Sequence, residues 1–307
     1  MERAEFLLKY ADLTRKGVEI APYFNPTVRK SDGFDVFVMD VFDTKTLRER
    51  ALNDPWIPND RIDEIEEVDL VGDASQIFEV VNSAKLEGRI NYIVSSHNLE
   101  HLPNPILFLQ GACAALEPGG VLCLALPDCR ACFDHFRMPT RLVDWLAAFH
   151  EQRTKPSAEA IFDGVAQGCS YYVNEQPTPG CNLYLDDHSG FRANQLLEVA
   201  YEKYKKNKDG SSDYEDAHCS VFFPETFELL IRDLSKLGLI NFDILEISET
   251  KGLEFFVWLI KSEPNTNISE EEFYSYRQDL MVKISKNLGA APFLLRQNLD
   301  GLTSIEI

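Results

Sequence analysis

The chain has 307 residues, 45% of them hydrophobic and 26% charged, a balance that builds a substantial core and rules out a disordered or fibrous chain. Acids outnumber Lys and Arg by 50 to 30, for a net charge of −20; such a surface repels phosphate backbones and anionic lipid, which argues against nucleic-acid and membrane partners. With no apolar run of 18 residues, no signal-peptide pattern and seven irregularly spaced cysteines, the sequence reads as a cytoplasmic protein with reduced thiols.

Strand-like and helix-like segments alternate through the first half. Residues 17–21 (GVEIA) and 34–40 (FDVFVMD) read as strands, and 44–52 as a short helix with Thr44 as its cap. A strand and turn at 68–74 (VDLVGDA) and a helix over 75–87 follow. Residues 90–96 (INYIVSS) form a fourth strand, 104–120 an apolar-faced helix closed by Pro118-Gly119-Gly120, and 121–128 (VLCLALPD) a fifth strand. Strands this apolar are covered on both faces, as in a parallel sheet flanked by helices. The expected class is α/β, Rossmann-like and doubly wound, with a mostly parallel seven-stranded sheet.

Beyond Asp128 the rhythm changes. Helical segments are expected near 140–151 and 190–206, with an irregular Tyr-, Asn-, Pro- and Gly-rich stretch at 168–187 between them. Strand-like residues 218–223 lead into a helix over 224–239 that opens with Pro224 and ends near Gly238. NFDILEIS and LEFFVWLIK make an antiparallel hairpin. A linker and a helix over 269–287 close the sequence. The division is therefore 1–135 and 217–262 for the two parts of the core, 136–216 for a helical lid, and 263–307 for the appended tail. Cys129 and Cys132 form a lone C-x-x-C, read as two thiols and not as a zinc site.

The order of motifs carries a resemblance. Glu19 ends one strand, Asp40 the next, then come G-D-A at 72–74, SSHNLEHLPNP at 95–105 and LEPGGVLCLALPD at 116–128. This series resembles the class I S-adenosylmethionine-dependent methyltransferases, and with DHFRMPT and HCSVFFPETFELLI it looks like a bacterial subgroup associated with surface-polysaccharide and glycan gene clusters. The resemblance implies S-adenosylmethionine as cofactor and a small-molecule or glycan acceptor, with O-methylation as the reaction; homo-oligomerisation stays open.

For the cofactor, the resemblance implies Asp40 on the ribose hydroxyls, Glu19 organising the loop at the amino-acid end, and Asp73 with Ala74 at the adenine. Ser95, late in the fourth strand, and His97, just after it, complete the set. Each acid also has a plain reading as a loop or turn residue. One departure stands out. The E-x-G-x-G run of the family is here Glu19-Ile20-Ala21-Pro22-Tyr23, without the glycines that allow positive φ and close backbone approach.

The run His97-Asn98-Leu99-Glu100-His101 places His97, Glu100 and His101 on one face of a helical turn. Two imidazoles and a carboxylate suit a divalent metal ion. Alternatively His97 contacts cofactor or serves as general base, and His101 only packs. His135 is a second candidate base for a hydroxyl acceptor. Asp128, Arg130, Asp134 and Arg137 after the fifth strand, together with His188, are candidate acceptor-binding residues; the other reading of the charged run is a salt-bridged turn. Two further functions stay in view: a metal-dependent enzyme on the same fold, and a non-catalytic module that has lost cofactor binding with its glycines.

Overall fold

A computed structural model describes residues 2–55, 57–178, 180–181, 190–262 and 269–289. The apolar runs become a seven-stranded sheet of order β3-β2-β1-β4-β5-β10-β9. Its strands are β1 (Gly17–Ile20), β2 (Val36–Asp40), β3 (Leu70–Val71), β4 (Ile90–Ser96), β5 (Leu116–Pro127), β9 (Phe242–Ile247) and β10 (Glu254–Lys261). β1 through β5 pair in parallel, and β10 lies antiparallel to both β5 and β9. The expected α/β class and the C-terminal antiparallel hairpin are both present.

Alternate residues feed two cores, because successive side chains on a strand point to opposite faces. Ile93, Leu122, Leu124, Leu126, Val257 and Leu259 pack against helices α3 (Ile77–Ser83), α4 (Pro105–Ala115) and α8 (Pro224–Lys236). Tyr92, Val94, Cys123, Ala125, Phe256 and Trp258 face the other way, covered by the first helix, α1 (Arg3–Leu7), and the segment after it. Trp258 Nε1 donates to the Leu7 carbonyl at 2.7 Å and fastens that cover. Gly17 makes room for Tyr92, since a Cβ on Gly17 would lie 2.0 Å from the ring.

Several boundaries move. α2 (Thr44–Leu52) is capped by Asp43, which accepts from Thr46 N at 2.8 Å, so the cap precedes Thr44. β5 starts at Leu116, because Glu117 to Gly120 are drawn into the sheet edge through a register shift opposite Ile90–Tyr92. Residues 218–223 contribute only an isolated bridge between Phe222 and Asp128.

The insertion differs more. Besides α5 (Leu142–His150) and α7 (Leu197–Asp209) it holds a further helix, α6 (Ala158–Gln167). The stretch expected to be irregular contains β6 (Cys169–Val173) and β7 (Gln176–Thr178), which with β8 (Phe191–Ala193) form a separate antiparallel sheet of order β7-β6-β8. The tail helix, α9 (Glu270–Gly289), docks on α8 through Arg277, which makes a bidentate pair with Asp233 at 2.8 and 2.9 Å. No helix among the described residues is long and apolar enough to cross a membrane.

Candidate active site

The carboxyl ends of the parallel strands open into a cleft of about 710 Å³ lined by Ala21, Tyr23, Asp40, Phe42, Arg50 and Asp216, among others. Asp40 ends β2 and is buried there; one of its oxygens accepts from Phe42 N at 3.0 Å. Burial pushes its carboxyl above the usual range. Open α/β sheets bind ligands in this position, outside the strand ends.

The loop after β1 keeps the shape that its sequence puts in question. Ala21 sits at φ +49° and Tyr23 at +50°, the left-handed region that glycine enters freely and alanine enters at a cost of about 1–2 kcal/mol. Glu19 holds this loop from beneath: its carboxylate accepts Thr27 N at 2.7 Å and Val28 N at 3.0 Å. Burial raises the Glu19 pKa, with those two N–H bonds opposing. Glu19 therefore organises the loop, while Tyr23 lines the cleft and packs edge-on against Phe24. Asp73 caps the single turn at Ala74–Gln76 by accepting from Ser75 N at 2.7 Å, and Ala74 is buried. Ser95 is buried beside Ile20 in register, its hydroxyl accepting from Asn98 Nδ2 at 3.2 Å.

His97 lies at φ +49° at the end of β4. Its Nε2 is 2.9 Å from Glu254 Oε2 and its Nδ1 is 3.5 Å from Glu100 Oε1. Burial works against its charge, but the two carboxylates outweigh it and push the pKa to about 9. His97 is thus an imidazolium near neutrality. Both of its ring nitrogens face carboxylates, an arrangement that favours the charged form over a base poised to take a proton. Arg3 completes the network, giving Nε and Nη2 to Glu254 at 2.6 and 2.7 Å and Nη2 to Ser96 Oγ at 2.7 Å.

Glu100 is fully buried, and neither of its carboxylate oxygens has a hydrogen-bond partner. His101, next in the chain, gives Nδ1–H to Asp216. His218 reaches the same place from just beyond the insertion, its Nδ1 2.6 Å from Asp134 Oδ2. The His101 and His218 rings stand perpendicular, with centroids 4.6 Å apart.

The charged run after β5 faces inward. Asp128 is fully buried and receives Arg130 Nε and Nη2 at 3.0 and 2.6 Å. Asp134 and Arg137 pair at 2.8 Å, and Arg137 also binds Asp163 and the His218 carbonyl. These four side chains satisfy one another and hold the loop. The run is thus salt-bridged, with its pairs in the interior and not on the surface. His135 belongs to a different cluster: Nδ1 donates to the Arg130 carbonyl at 2.7 Å, and the ring stacks on Phe191 at 4.3 Å. His188 lies outside the described residues.

Sequence reasoning missed Arg3, Asp216 and Glu254. Glu254 had a signal: the first residue of an antiparallel strand inserted into a parallel sheet falls at the carboxyl edge of its neighbours. Arg3 and Asp216 are brought in by long-range packing that no local pattern encodes.

The profile of a family described as "Methyltransferase domain" matches residues 14–233. No curated protein matches the chain. Among solved structures, a SAM-dependent methyltransferase of Methanosarcina mazei is 14% identical with TM-score 0.41, covering 85% of this chain and 98% of its own. An S-adenosylmethionine-dependent methyltransferase of Mesorhizobium loti is 13% identical with TM-score 0.40, over 84% and 97%. The glycopeptide N-methyltransferase MtfA in complex with S-adenosylmethionine is 12% identical with TM-score 0.38, over 83% and 91%. Scores this low add nothing to the sheet order and the family match.

Proposed function

The chain belongs to the methyltransferase-domain family, and from that premise we propose that it transfers a methyl group from S-adenosylmethionine to a hydroxyl of a small-molecule or glycan acceptor. The observation that carries the cofactor assignment is the cleft at the strand ends: a buried acceptor carboxylate, Asp40, faces a loop whose Ala21 retains left-handed backbone geometry. Asp40 accepts the ribose hydroxyls there, Glu19 keeps the loop in place, and Asp73 with Ala74 bounds the adenine side. Bound in this cleft, the cofactor supplies an activated methyl group on a sulfonium.

An acceptor site is supported by a second cavity of about 200 Å³ in the insertion, lined by Phe133, Tyr171, Thr178 and Phe191. Aromatic faces suit the apolar face of a sugar ring. The two cavities are linked by side chains: Phe133 lies 4.8 Å from the His218 ring, His218 touches His101, and His101 bonds Asp216 of the cofactor cleft. A hydroxyl is a poor nucleophile near neutral pH and needs a base. His135, stacked on Phe191 beside this cavity and hydrogen-bonded through Nδ1 to the Arg130 carbonyl, takes that role.

Calorimetric titration with S-adenosylhomocysteine tests the reading. Micromolar binding that weakens at least tenfold in Asp40→Ala is the expected result. Absence of heat at millimolar ligand would leave the non-catalytic module as the better description.

A further inference from the structure

Glu100 presents a physical problem: its carboxyl group is out of contact with water and neither oxygen has a hydrogen-bond partner, a state that favours a cation placed against it. Its nearest ionic neighbour, His97, is 3.5 Å away and engaged more closely, at 2.9 Å, with Glu254.

The other groups facing Glu100 are suited to a metal ion. One ligand atom from each of Glu100, His101 and His218 lies within 4.8 Å of the other two. Nδ1 of His101 points at Asp216, 3.1 Å away, and Nδ1 of His218 at Asp134, 2.6 Å away. Each ring is therefore oriented by a carboxylate and keeps Nε2 as its lone-pair atom, which is how metal-ligating imidazoles are held. The two segments are also pinned together: Ser220 N donates to the Glu100 carbonyl at 3.1 Å and Cys219 Sγ to the His101 carbonyl at 3.3 Å.

We propose that Glu100, His101 and His218 bind a first-row divalent transition-metal ion, with Asp134 and Asp216 as positioning residues. Two nitrogen donors and one oxygen favour zinc, manganese or iron over magnesium or calcium. Three protein ligands leave coordination positions open. His97 is not a ligand, although it opens the run that contains the other two. Asp216 also lines the cofactor cleft, so the ion stands at its rim. Binding itself does not depend on the methyl-transfer reading.

Chelator-stripped full-length protein is titrated calorimetrically with Zn²⁺ and, separately, Mn²⁺, without cofactor. One ion per chain is expected. Zn²⁺ affinity falls at least tenfold in His218→Ala and in Glu100→Gln, about tenfold in Asp216→Asn, and less than twofold in His97→Ala. Far-UV circular dichroism checks the fold of each variant; Asp216, 59% exposed at its side chain, carries the test if a buried substitution fails to fold. Co²⁺ provides a second readout, giving visible d–d bands in the parent protein that disappear in His101→Ala. The proposal is overturned if neither Zn²⁺ nor Mn²⁺ binds stoichiometrically, if Zn²⁺ affinity survives both Glu100→Gln and Asp216→Asn, or if His97→Ala alone abolishes it. Binding of S-adenosylhomocysteine is measured separately, so a negative metal result leaves the methyltransferase reading intact.

Discussion

Ala21 holds a backbone conformation suited to a residue with no side chain, and the loop keeps it because Glu19 clamps Thr27 and Val28 from below. Ala21→Gly should therefore leave S-adenosylhomocysteine affinity within about twofold. Ala21→Val, which puts a β-branched residue at positive φ, should weaken it tenfold or more; calorimetry decides both. His97 provides a second check. Its charged form is favoured by the fold, so its stabilising contribution is complete below the ordinary pKa of 6.5 and disappears as pH rises through about 9. Proton NMR of chelator-treated protein should show the imidazole titrating near 9, and lower in Glu254→Gln. A third test is Gly17→Ala, which drives a methyl group into the Tyr92 ring and should cost at least about 1 kcal/mol in urea unfolding. At this scale the sequence revealed the positions of Asp40, Glu19 and Glu100 but not their partners. Asp128, Asp134 and Arg137 looked like a charged acceptor loop because nothing local says that each charge has a mate indoors.

Elements were more legible than contacts where periodicity was strong. β4, with six apolar or small residues in seven, and α8, with Pro at its start, lie where the pattern puts them. The small sheet of β6, β7 and β8 was hidden because its strands have three to five residues, half-exposed, with Pro177 inside one of them; stretches that short carry no readable period. α6 was missed for a related reason, being an amphipathic ten-residue helix capped by Ser157 between two loops. The tail helix makes a prediction of its own. Asp233 is buried and anchors α9 through Arg277. Asp233→Ala should abolish slow amide exchange over 270–289 while leaving S-adenosylhomocysteine binding unchanged, as read by hydrogen-exchange mass spectrometry. A loss of cofactor affinity in that variant would mean that α9 is coupled to the cleft.

For the whole molecule, a net charge of −20 is a repulsive field that salt screens. Raising ionic strength from about 10 mM to about 150 mM NaCl should raise the thermal midpoint by a few degrees; a midpoint that falls would mean that the ion pairs outweigh the repulsion. The sheet topology accounts for where the acids matter. β10 runs against its neighbours, so its first residue arrives at the same edge as the last residues of β1, β2 and β4, and there Glu254 meets Arg3 from α1. During synthesis, then, the crevice cannot be completed in the order in which its walls are translated. The nucleotide-facing loops emerge early, but the carboxylate that pairs with Arg3 and His97 emerges only with β10, the last of the described strands. Until that strand slots between β5 and β9, a nascent chain would hold Arg3 and His97 without their shared carboxylate, beside an unfinished sheet edge.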